Sequence, residues 1–394
     1  MKRVLVFDHA MKMTGHRLPY ASLVSQAFDE SKVVVCLPKQ LESEQAIRRY
    51  FSANELHFFA TEDRPLGVAF SRESFRCLRN VMAEVEPDHV AIPTADGIGV
   101  IAGMHEMLRG DSWRKHASVS ACLMRIFPMP SSFSIKKSIV NRLRTYLLEQ
   151  AQWTQLMTLD ALRWLEMTPR RRSRLLVAPD PVPKRPDIDR SIAREKLGLP
   201  TNGRLLVSAG NQDARKGSDL LIEAFANAKL AADDRLLLIG RHDSSVKSQL
   251  SGHQPLMACD RLLSRDQYVS EEDFTLSIIA SDVVVAPYRS TDRPSGVVSR
   301  AVAWGRPIVA TNSGWMRWVC ESLNAGSTFQ GGDTDELGKA LTHSLEELDA
   351  FKISEQASRF AEYNTEENFK RLWKAGLDGK EKPSRFPTPT FLGR

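Results

Sequence analysis

Two neighbouring cations follow a predicted strand in the second half of the chain, just before a predicted helix. The segment is RLLVSAGNQDARKGSDLLIEAF, residues 204–225. Its pattern predicts a strand, a turn at Gly210, a polar loop carrying Arg215 and Lys216, and a helix after Gly217. Backbone N–H groups at a helix start, together with two side-chain cations, attract a phosphate or diphosphate. A solvated loop in an ordinary βα unit explains the same segment equally well.

A second segment repeats this strand, loop and helix order. It is DVVVAPYRSTDRPSGVVSRAVAWGRPIVAT, residues 282–311. A buried strand is predicted to end at Pro287, and a helix is predicted to open at Ser295, Gly296 and Val297. The Ser295 hydroxyl and the first N–H groups of that helix would complete a cradle for an anion. The alternative is that Ser295 serves only as a helix N-cap.

Together these segments resemble the C-terminal domain of GT-B glycosyltransferases of family 4, the group 1 retaining enzymes that use nucleotide-sugars. The resemblance covers about residues 194–345 and rests on the ordered motifs AG, RKG, LLLIG, ASDVVVAPY, SGVVSRAVAWGRPIVAT and GD. It implies an α/β fold with two Rossmann-like parallel-sheet domains facing a cleft, and a C-terminal helix that can cross back to the first domain. It also implies transfer of a sugar, with retention, from a nucleotide-sugar to a glycan or lipid-linked acceptor.

The donor site implied by the resemblance departs from the family pattern at several positions. Lys216 stands at the family's diphosphate-binding Lys, but Asn211 stands where the family has Arg, so Arg215 is expected to supply that charge. Asp292 and Arg300 stand where the family has two Glu residues. Arg300 cannot accept a hydrogen bond from a ribose hydroxyl, since a guanidinium group has donors only. It would suit a phosphate or an acidic sugar instead.

These departures leave other functions open. One alternative is a catalytically silent GT-B protein that binds a glycan or another protein. A same-fold epimerase or phosphorylase is a third possibility. For an active transferase, the resemblance implies that Arg215, Lys216 and helix N-termini meet the charge of the leaving nucleoside diphosphate. No cofactor besides the nucleotide-sugar substrate, and no metal ion, is then expected.

The first half of the chain supplies candidates for the acceptor side. Gly15 and His16 follow the first predicted strand, where the resembled family has a glycine-rich loop, and His16 could contact a phosphate or an acceptor hydroxyl. Asp96 follows another strand and could orient an acceptor hydroxyl. A structural or solvated histidine and a helix-capping aspartate are the respective alternatives. Arg125 lies near the position of a sugar-contacting His in the family, and an arginine there suits a negatively charged group.

Hydrophobic periodicity predicts the elements that position these residues. Short runs rich in Val, Ile and Leu alternate with helical patterns in both halves, which is typical of parallel sheets with crossover helices. A proline-rich stretch, PDPVPKRPDID from Pro179, reads as an inter-domain linker. We therefore predict an acceptor-side domain over 1–178, a nucleotide-sugar-binding domain over 179–360, and a C-terminal helix and tail over 361–394.

The charge of the chain is concentrated in one region. The net charge is +6, from 54 Lys and Arg against 48 Asp and Glu, and residues 101–180 hold 13 basic against 6 acidic residues. The excess falls on SIKKSIVNRLRTYLLEQ from Ser134 and RRRSR from Arg170. The first predicts a basic amphipathic helix that can lie against an anionic membrane or gather an acidic glycan, although a solvated face is equally compatible. No pattern typical of nucleic-acid recognition accompanies it.

The apolar stretches are short. The apolar run VLVF near the start of the sequence ends at Asp8, so it is too short for the core of a signal peptide. No stretch of the sequence has the length of uninterrupted apolar residues that a membrane span needs. We therefore expect a cytoplasmic protein, with peripheral contact at the inner membrane face as its closest approach to lipid.

Overall fold

The computed structural model describes residues 1–9, 17–60, 68–109, 112–124, 126, 135–289, 294–378 and 391. The strands are β1 (Arg3–Phe7), β2 (Lys32–Pro38), β3 (Glu55–Phe59), β4 (His89–Ile92), β5 (Ser118–Leu123), β6 (Gln155–Thr158), β7 (Leu176–Val177), β8 (Leu205–Ala209), β9 (Arg235–Ile239), β10 (Leu262–Arg265), β11 (Val283–Ala286), β12 (Ile308–Thr311) and β13 (Gly326–Phe329).

Helices connect these strands throughout. They are α1 (Arg17–Gln26), α2 (Gln45–Tyr50), α3 (Val68–Val85), α4 (Ile98–Arg109), α5 (Ile135–Gln150), α6 (Ala161–Leu165), α7 (Pro169–Arg172), α8 (Arg190–Lys196), α9 (Ser218–Asn227), α10 (Ser244–Gly252), α11 (Gln254–Ala258), α12 (Glu271–Ala280), α13 (Gly296–Ala303), α14 (Gly314–Ser322), α15 (Thr334–Glu346), α16 (Glu355–Tyr363) and α17 (Glu366–Asp378). Short 3₁₀ turns lie at Lys39–Leu41 and Ala214–Lys216.

The chain folds into two compact units, each built on one parallel sheet. The first comprises Met1–Pro181 and helix α17, and its strand order is β3-β2-β1-β4-β5-β6-β7. The second comprises Val182–Thr365 and Phe391, with strand order β10-β9-β8-β11-β12-β13. Both sheets are Rossmann-like, which confirms the α/β fold class expected from the alternating strand and helix patterns.

The strand order reverses beside the first strand of each sheet. In the second unit β8 lies between β9 and β11, with Leu206 opposite Val283 in the register. The loops that leave β8 and β11 therefore diverge from the same carboxyl edge. Open parallel sheets bind ligands at such a reversal, because the two connections leave a crevice between them.

Both sheets are covered on their two faces by helices, which explains their apolar strands. All five residues of β8 are buried, as expected for a central strand of a parallel sheet. In the first unit, Phe369, Leu372 and Trp373 of α17 are buried in the core formed with β1 and β2. The side-chain amide of Gln155 also donates to the Leu372 carbonyl at 3.1 Å. The C-terminal helix thus packs on the first unit, as the GT-B resemblance implies.

Local sequence predicts the central elements better than the outer strands. Helix α12 spans 271–280 as expected, and the Asp273 N–H donates to the Ser270 hydroxyl at 3.0 Å to form its cap. Strands β3, β10 and β13 are not predicted by hydrophobic runs, because each lies at a sheet edge and carries partly exposed residues. Strand β5 ends at Leu123, earlier than the apolar run through Phe127 suggests.

Candidate functional site

The ammonium group of Lys216 lies over the end of β8, at the reversal point of the second sheet. Its Nζ donates to the Ala209 carbonyl at 3.2 Å. Gly210 follows with φ +88°, and a Cβ at that position would come within 2.7 Å of Nζ. A larger residue at position 210 would therefore displace the cation, in addition to being strained by the left-handed backbone.

The loop after β11 reaches the same place through Tyr288. The Lys216 Nζ lies 5.5 Å from the centroid of the Tyr288 ring, close enough for a cation–π contact. The Tyr288 hydroxyl lies 3.1 Å from the Ser295 hydroxyl, which immediately precedes α13. The structure thus brings together Gly210, Lys216, Ser295 and the first turn of α13, where Gly296 and Val297 stand.

A buried glutamine holds the β8–α9 loop in this conformation. The side-chain amide nitrogen of Gln212 donates to the carbonyls of Ser208 and Gly210 at 3.0 and 2.7 Å. Its amide oxygen accepts from the hydroxyls of Ser208 and Ser218 at 3.1 and 2.8 Å. Gln212 is completely buried. Such a satisfied network is rigid, because each lost hydrogen bond would leave a buried polar group without its partner.

Charged residues on the surface hold the turn Ala214–Lys216 in place. Arg289 pairs with the Asp219 carboxylate through two nitrogens, at 2.6 and 2.7 Å, and its backbone N–H donates to the Arg215 carbonyl at 2.9 Å. The Asp213 carboxylate accepts from the Lys216 N–H at 2.8 Å. The loops after β8 and β11 are therefore joined by direct protein contacts.

Two other residues of the predicted donor site, Asn211 and Arg215, are exposed to solvent. Asn211 is exposed, next to Gly210. The Arg215 side chain is 58% exposed, and its Nη2 lies 3.7 Å from a carboxylate oxygen of Asp213. A surface ion pair of this kind is weak, so Arg215 is available to an anion at this edge.

Arg300 is directed towards helix α12. Its Nη1 donates to the Glu271 carboxylate at 2.6 Å and to the Thr275 hydroxyl at 3.3 Å. Its guanidinium also lies 4.7 Å from the Phe274 ring centroid and 5.2 Å from that of Trp304. The position that the resembled family gives to a ribose-binding Glu thus carries an arginine with an ionic partner of its own.

The carboxyl edge of the first sheet carries several aspartates. The Asp96 carboxylate accepts from the Met124 N–H at 3.1 Å and so connects the loops after β4 and β5. Asp160 follows β6 and accepts from the backbone N–H groups of Arg163 and Ile126. Burial raises the pKa of Asp160 to about 6, because a charged carboxylate is poorly solvated there. Gly15, His16, Arg125 and Asp292 lie outside the described residues.

Three residues of this site carry no sequence signal that singles them out. Gln212 is one polar residue in a polar loop, and Tyr288 and Arg289 simply follow a predicted strand. They could have been predicted from their position just after the carboxyl ends of β8 and β11, where open parallel sheets bind ligands. What the arrangement offers chemically is anion binding, through Lys216, Arg215 and the N–H groups at the start of α13.

The described residues contain no group of three or more His, Cys, Asp and Glu side chains placed to hold a metal ion. In the same part of the chain, no helix has both the length and the apolar character needed to cross a membrane.

Comparison with known families finds a match in the second unit. Residues 203–347 match the model of the group 1 glycosyl transferases. A phosphatidyl-myo-inositol mannosyltransferase of Mycobacterium leprae (strain TN) is 29% identical over 158 residues, 39% of this chain and 41% of the relative. A D-inositol 3-phosphate glycosyltransferase of Xylanimonas cellulosilytica is 30% identical over 172 residues, 39% of this chain and 37% of the relative. The matches thus span about two fifths of these curated relatives.

Solved structures resemble nearly the whole chain. Anabaena HepE in complex with UDP and glucose has a TM-score of 0.65 and 16% identity, covering 96% of this chain and 98% of its own. The sucrose-phosphate synthase of Thermosynechococcus elongatus has a TM-score of 0.62 and 15% identity, covering 96% of each chain. At these identities the likeness concerns the fold, which is the GT-B fold of glycosyltransferases.

Proposed function

We propose that this protein is a glycosyltransferase that moves a sugar from a nucleotide-sugar donor to a glycan or lipid-linked acceptor, with retention at the anomeric carbon. The observation that carries the proposal is the position of Lys216. Its ammonium lies at the strand-order reversal, between the Ala209 carbonyl and the Tyr288 ring, and the Tyr288 hydroxyl in turn contacts Ser295, which precedes α13.

A diphosphate at this edge would meet opposite charge from several directions. Lys216 and Arg215 supply cations, and the first N–H groups of α13 supply donors with the positive end of a helix dipole. As the bond from the anomeric carbon to the diphosphate oxygen breaks, these groups stabilise the departing charge. The acceptor oxygen then bonds to the same face of that carbon, and its proton passes to the leaving diphosphate. We propose that these protein cations act without a metal ion.

The comparisons support the donor half of this proposal. The stretch that matches the group 1 family, residues 203–347, is the unit that carries Lys216 and α13. The structural neighbour HepE was solved with UDP, with UDP and glucose, and with UDP-glucose. A nucleotide-sugar is therefore the donor class we propose, while the acceptor class rests on the resemblance of the motifs alone.

The test follows nucleoside diphosphate release from UDP- and GDP-sugars, together with direct nucleotide binding by calorimetry. Lys216→Ala is expected to weaken nucleotide binding by about tenfold or more, because a charge-assisted contact to phosphate is lost. Lys339→Ala is the matched control, since that lysine is 76% exposed on α15 of the same unit. No nucleotide binding by the unmodified protein, or equal binding by Lys216→Ala, would contradict the proposal.

Arg300 favours one second candidate, a GT-B protein that binds a glycan or another protein without turnover. Its guanidinium, paired with Glu271, stands where the resembled family has a ribose-binding carboxylate. This candidate predicts that no UDP- or GDP-sugar is consumed, whatever acceptor extract is supplied. Release of nucleoside diphosphate that depends on an acceptor would exclude it.

A further inference from the structure

Arginines gather at the amino edge of the second sheet, where its strands begin, opposite to the edge that carries Lys216. Arg194 of α8 donates from Nε to the Ala280 carbonyl at 3.1 Å. Arg306, two residues before β12, donates from Nη2 to the Ile279 carbonyl at 2.9 Å. These neighbouring carbonyls end helix α12, so the two guanidinium groups lie close together. Strand β11, four residues long, separates this edge from the donor edge by about 13 Å.

The Asp282 carboxylate lies between two arginines at this edge. Its Oδ2 pairs with Arg194 at 2.6 Å, and its Oδ1 pairs with Arg190. The side chains of Asp282 and Arg194 are 5% and 3% exposed, whereas that of Arg190 is 50% exposed. Two guanidinium groups thus share one carboxylate, and the outer one, that of Arg190, remains accessible to a second anion.

A further arginine comes from the segment before α8. Arg185 is exposed, and its Nη2 donates to the Ile188 carbonyl at 3.2 Å. The indole N–H of Trp304 donates to the Pro183 carbonyl at 3.2 Å, so the segment that carries Arg185 lies beside the turn that carries Arg306. The basic group at the amino edge therefore extends to the surface.

The Arg306 guanidinium has a donor to spare. Its Nε is buried and has no hydrogen-bond partner in the described part of the chain, although the residue as a whole is partly exposed. Burial, and then the positive charges of Arg190 and Arg185, lower the pKa of Arg306 to about 10, against the opposing effect of Asp282. The group is still a cation at neutral pH. A bound anion would supply the missing acceptor and offset the repulsion between the arginines.

We propose that Arg185, Arg190 and Arg306 bind a phosphate dianion at this amino edge, in a site distinct from the donor site. A phosphate dianion offers several acceptor oxygens at once, and planar guanidinium groups match them with paired, charge-assisted hydrogen bonds. Its double charge also suits a place where arginines outnumber the neighbouring carboxylate. Free inorganic phosphate and a soluble phosphate monoester carry this same group.

The test is calorimetric titration of the full chain with inorganic phosphate at constant ionic strength, without nucleotide. Arg185→Gln and Arg190→Gln are each expected to weaken phosphate binding by about fivefold or more, because a charge-assisted contact is lost. Lys216→Ala, which alters the donor edge, should change it by no more than about twofold. Titration with glycerol 3-phosphate distinguishes the sources: tighter binding than that of inorganic phosphate identifies a monoester as the preferred ligand, and weaker binding identifies the free ion.

Arg317→Gln is the matched control. Arg317 lies on α14 of the same unit, its side chain is 57% exposed, and it pairs with Glu321 at 2.9 Å. Its replacement should alter phosphate binding by no more than about twofold. Arg185→Gln leaves both arginine contacts of Asp282 in place, so its result holds even if Arg190→Gln lowers the stability of the fold.

Several results would overturn the proposal. The absence of saturable phosphate binding, or equal binding by Arg185→Gln and Arg317→Gln, would contradict it. Loss of phosphate binding in Lys216→Ala, with unchanged binding in Arg185→Gln, would assign the anion to the donor edge instead. Because no nucleotide is present, a failure of the proposed donor site would leave this result unaffected.

Discussion

Arg300 and Glu271 form an ion pair across two helices of the second unit, with Nη1 of the arginine 2.6 Å from a carboxylate oxygen of the glutamate. The arginine side chain is 12% exposed and the glutamate 65% exposed. The pair joins the first turn of α12 to α13, and the rings of Phe274 and Trp304 cover the guanidinium. The arginine that departs from the family's donor motif thus forms an ion pair with a neighbouring helix.

Exchanging these two charges tests that role. Arg300→Glu places a carboxylate beside Glu271 in a half-buried site, so we expect the free energy of unfolding to fall by about 2–4 kcal/mol. Adding Glu271→Arg restores opposite charges and should recover about half of the loss. Urea denaturation measures both effects. Equal stability of the single and double variants would show that the pair contributes little.

Gln212 should be more important for stability than its loop position suggests. Gln212→Leu keeps the apolar bulk but leaves the hydroxyls of Ser208 and Ser218 without their buried acceptor. We expect the free energy of unfolding to fall by about 3–5 kcal/mol, measured by urea denaturation. Gln330→Leu, at an exposed position of the same unit, should stay within about 0.5 kcal/mol of the unmodified protein. A similar small change for Gln212→Leu would contradict the network.

Gly217 is required by a close approach between the two loops of the site. Its φ is +69°, and a Cβ there would lie 2.0 Å from the Pro287 carbonyl oxygen. Gly198 also has a positive φ, +57°, but a Cβ there meets no atom of the described chain within 4 Å. Gly198→Ala should therefore cost about 1–2 kcal/mol, for the left-handed conformation alone.

Gly217→Ala should cost about 3–5 kcal/mol, because the backbone must also move away from Pro287. Thermal denaturation of the two variants, side by side, separates the clash from the conformational strain. Nucleotide affinity should fall only in Gly217→Ala. Equal melting temperatures for the two variants would show that the loops separate at little cost.

His89 should make the first unit sensitive to acid. Burial, with a smaller contribution from Lys2, lowers the pKa of His89 to about 3. In the unfolded chain the pKa of a histidine is about 6.5. Between these values the unfolded state binds the extra proton, so stability falls as the pH decreases below about 6.5. The loss should reach about 2 kcal/mol at pH 5 relative to pH 7.5, measured by urea denaturation.

His89→Phe should reduce that pH dependence by the same amount. The phenyl ring suits the neighbouring Phe28, whose ring centroid is 5.5 Å from the imidazole, and the Ser118 hydroxyl keeps the Asp88 carbonyl as an acceptor. His116→Phe, at an exposed position of the same unit, is the matched control. An unchanged profile in His89→Phe would assign the acid sensitivity to other groups.

Much of the fold could be predicted from local sequence, whereas the contacts of the site could not. The central strands are continuous apolar runs, and the cap of α12 follows from Ser270 and Asp273 three residues apart. Lys216 and Ser295 could be assigned to one sheet edge, because both follow strands of a parallel sheet. Their connection through Tyr288, however, depends on the direction of a ring, which no spacing encodes.

The sequence by itself determined the alternation of strands and helices, the group 1 motifs of the second unit and the basic character of residues 101–180. These are properties of residue type and short spacing. Only the tertiary structure decided that Arg300 pairs with Glu271, 29 residues away, and that the apolar side of α5 faces solvent. The reason is physical: a helix pattern shows which residues share a face, but what covers that face depends on how distant segments pack.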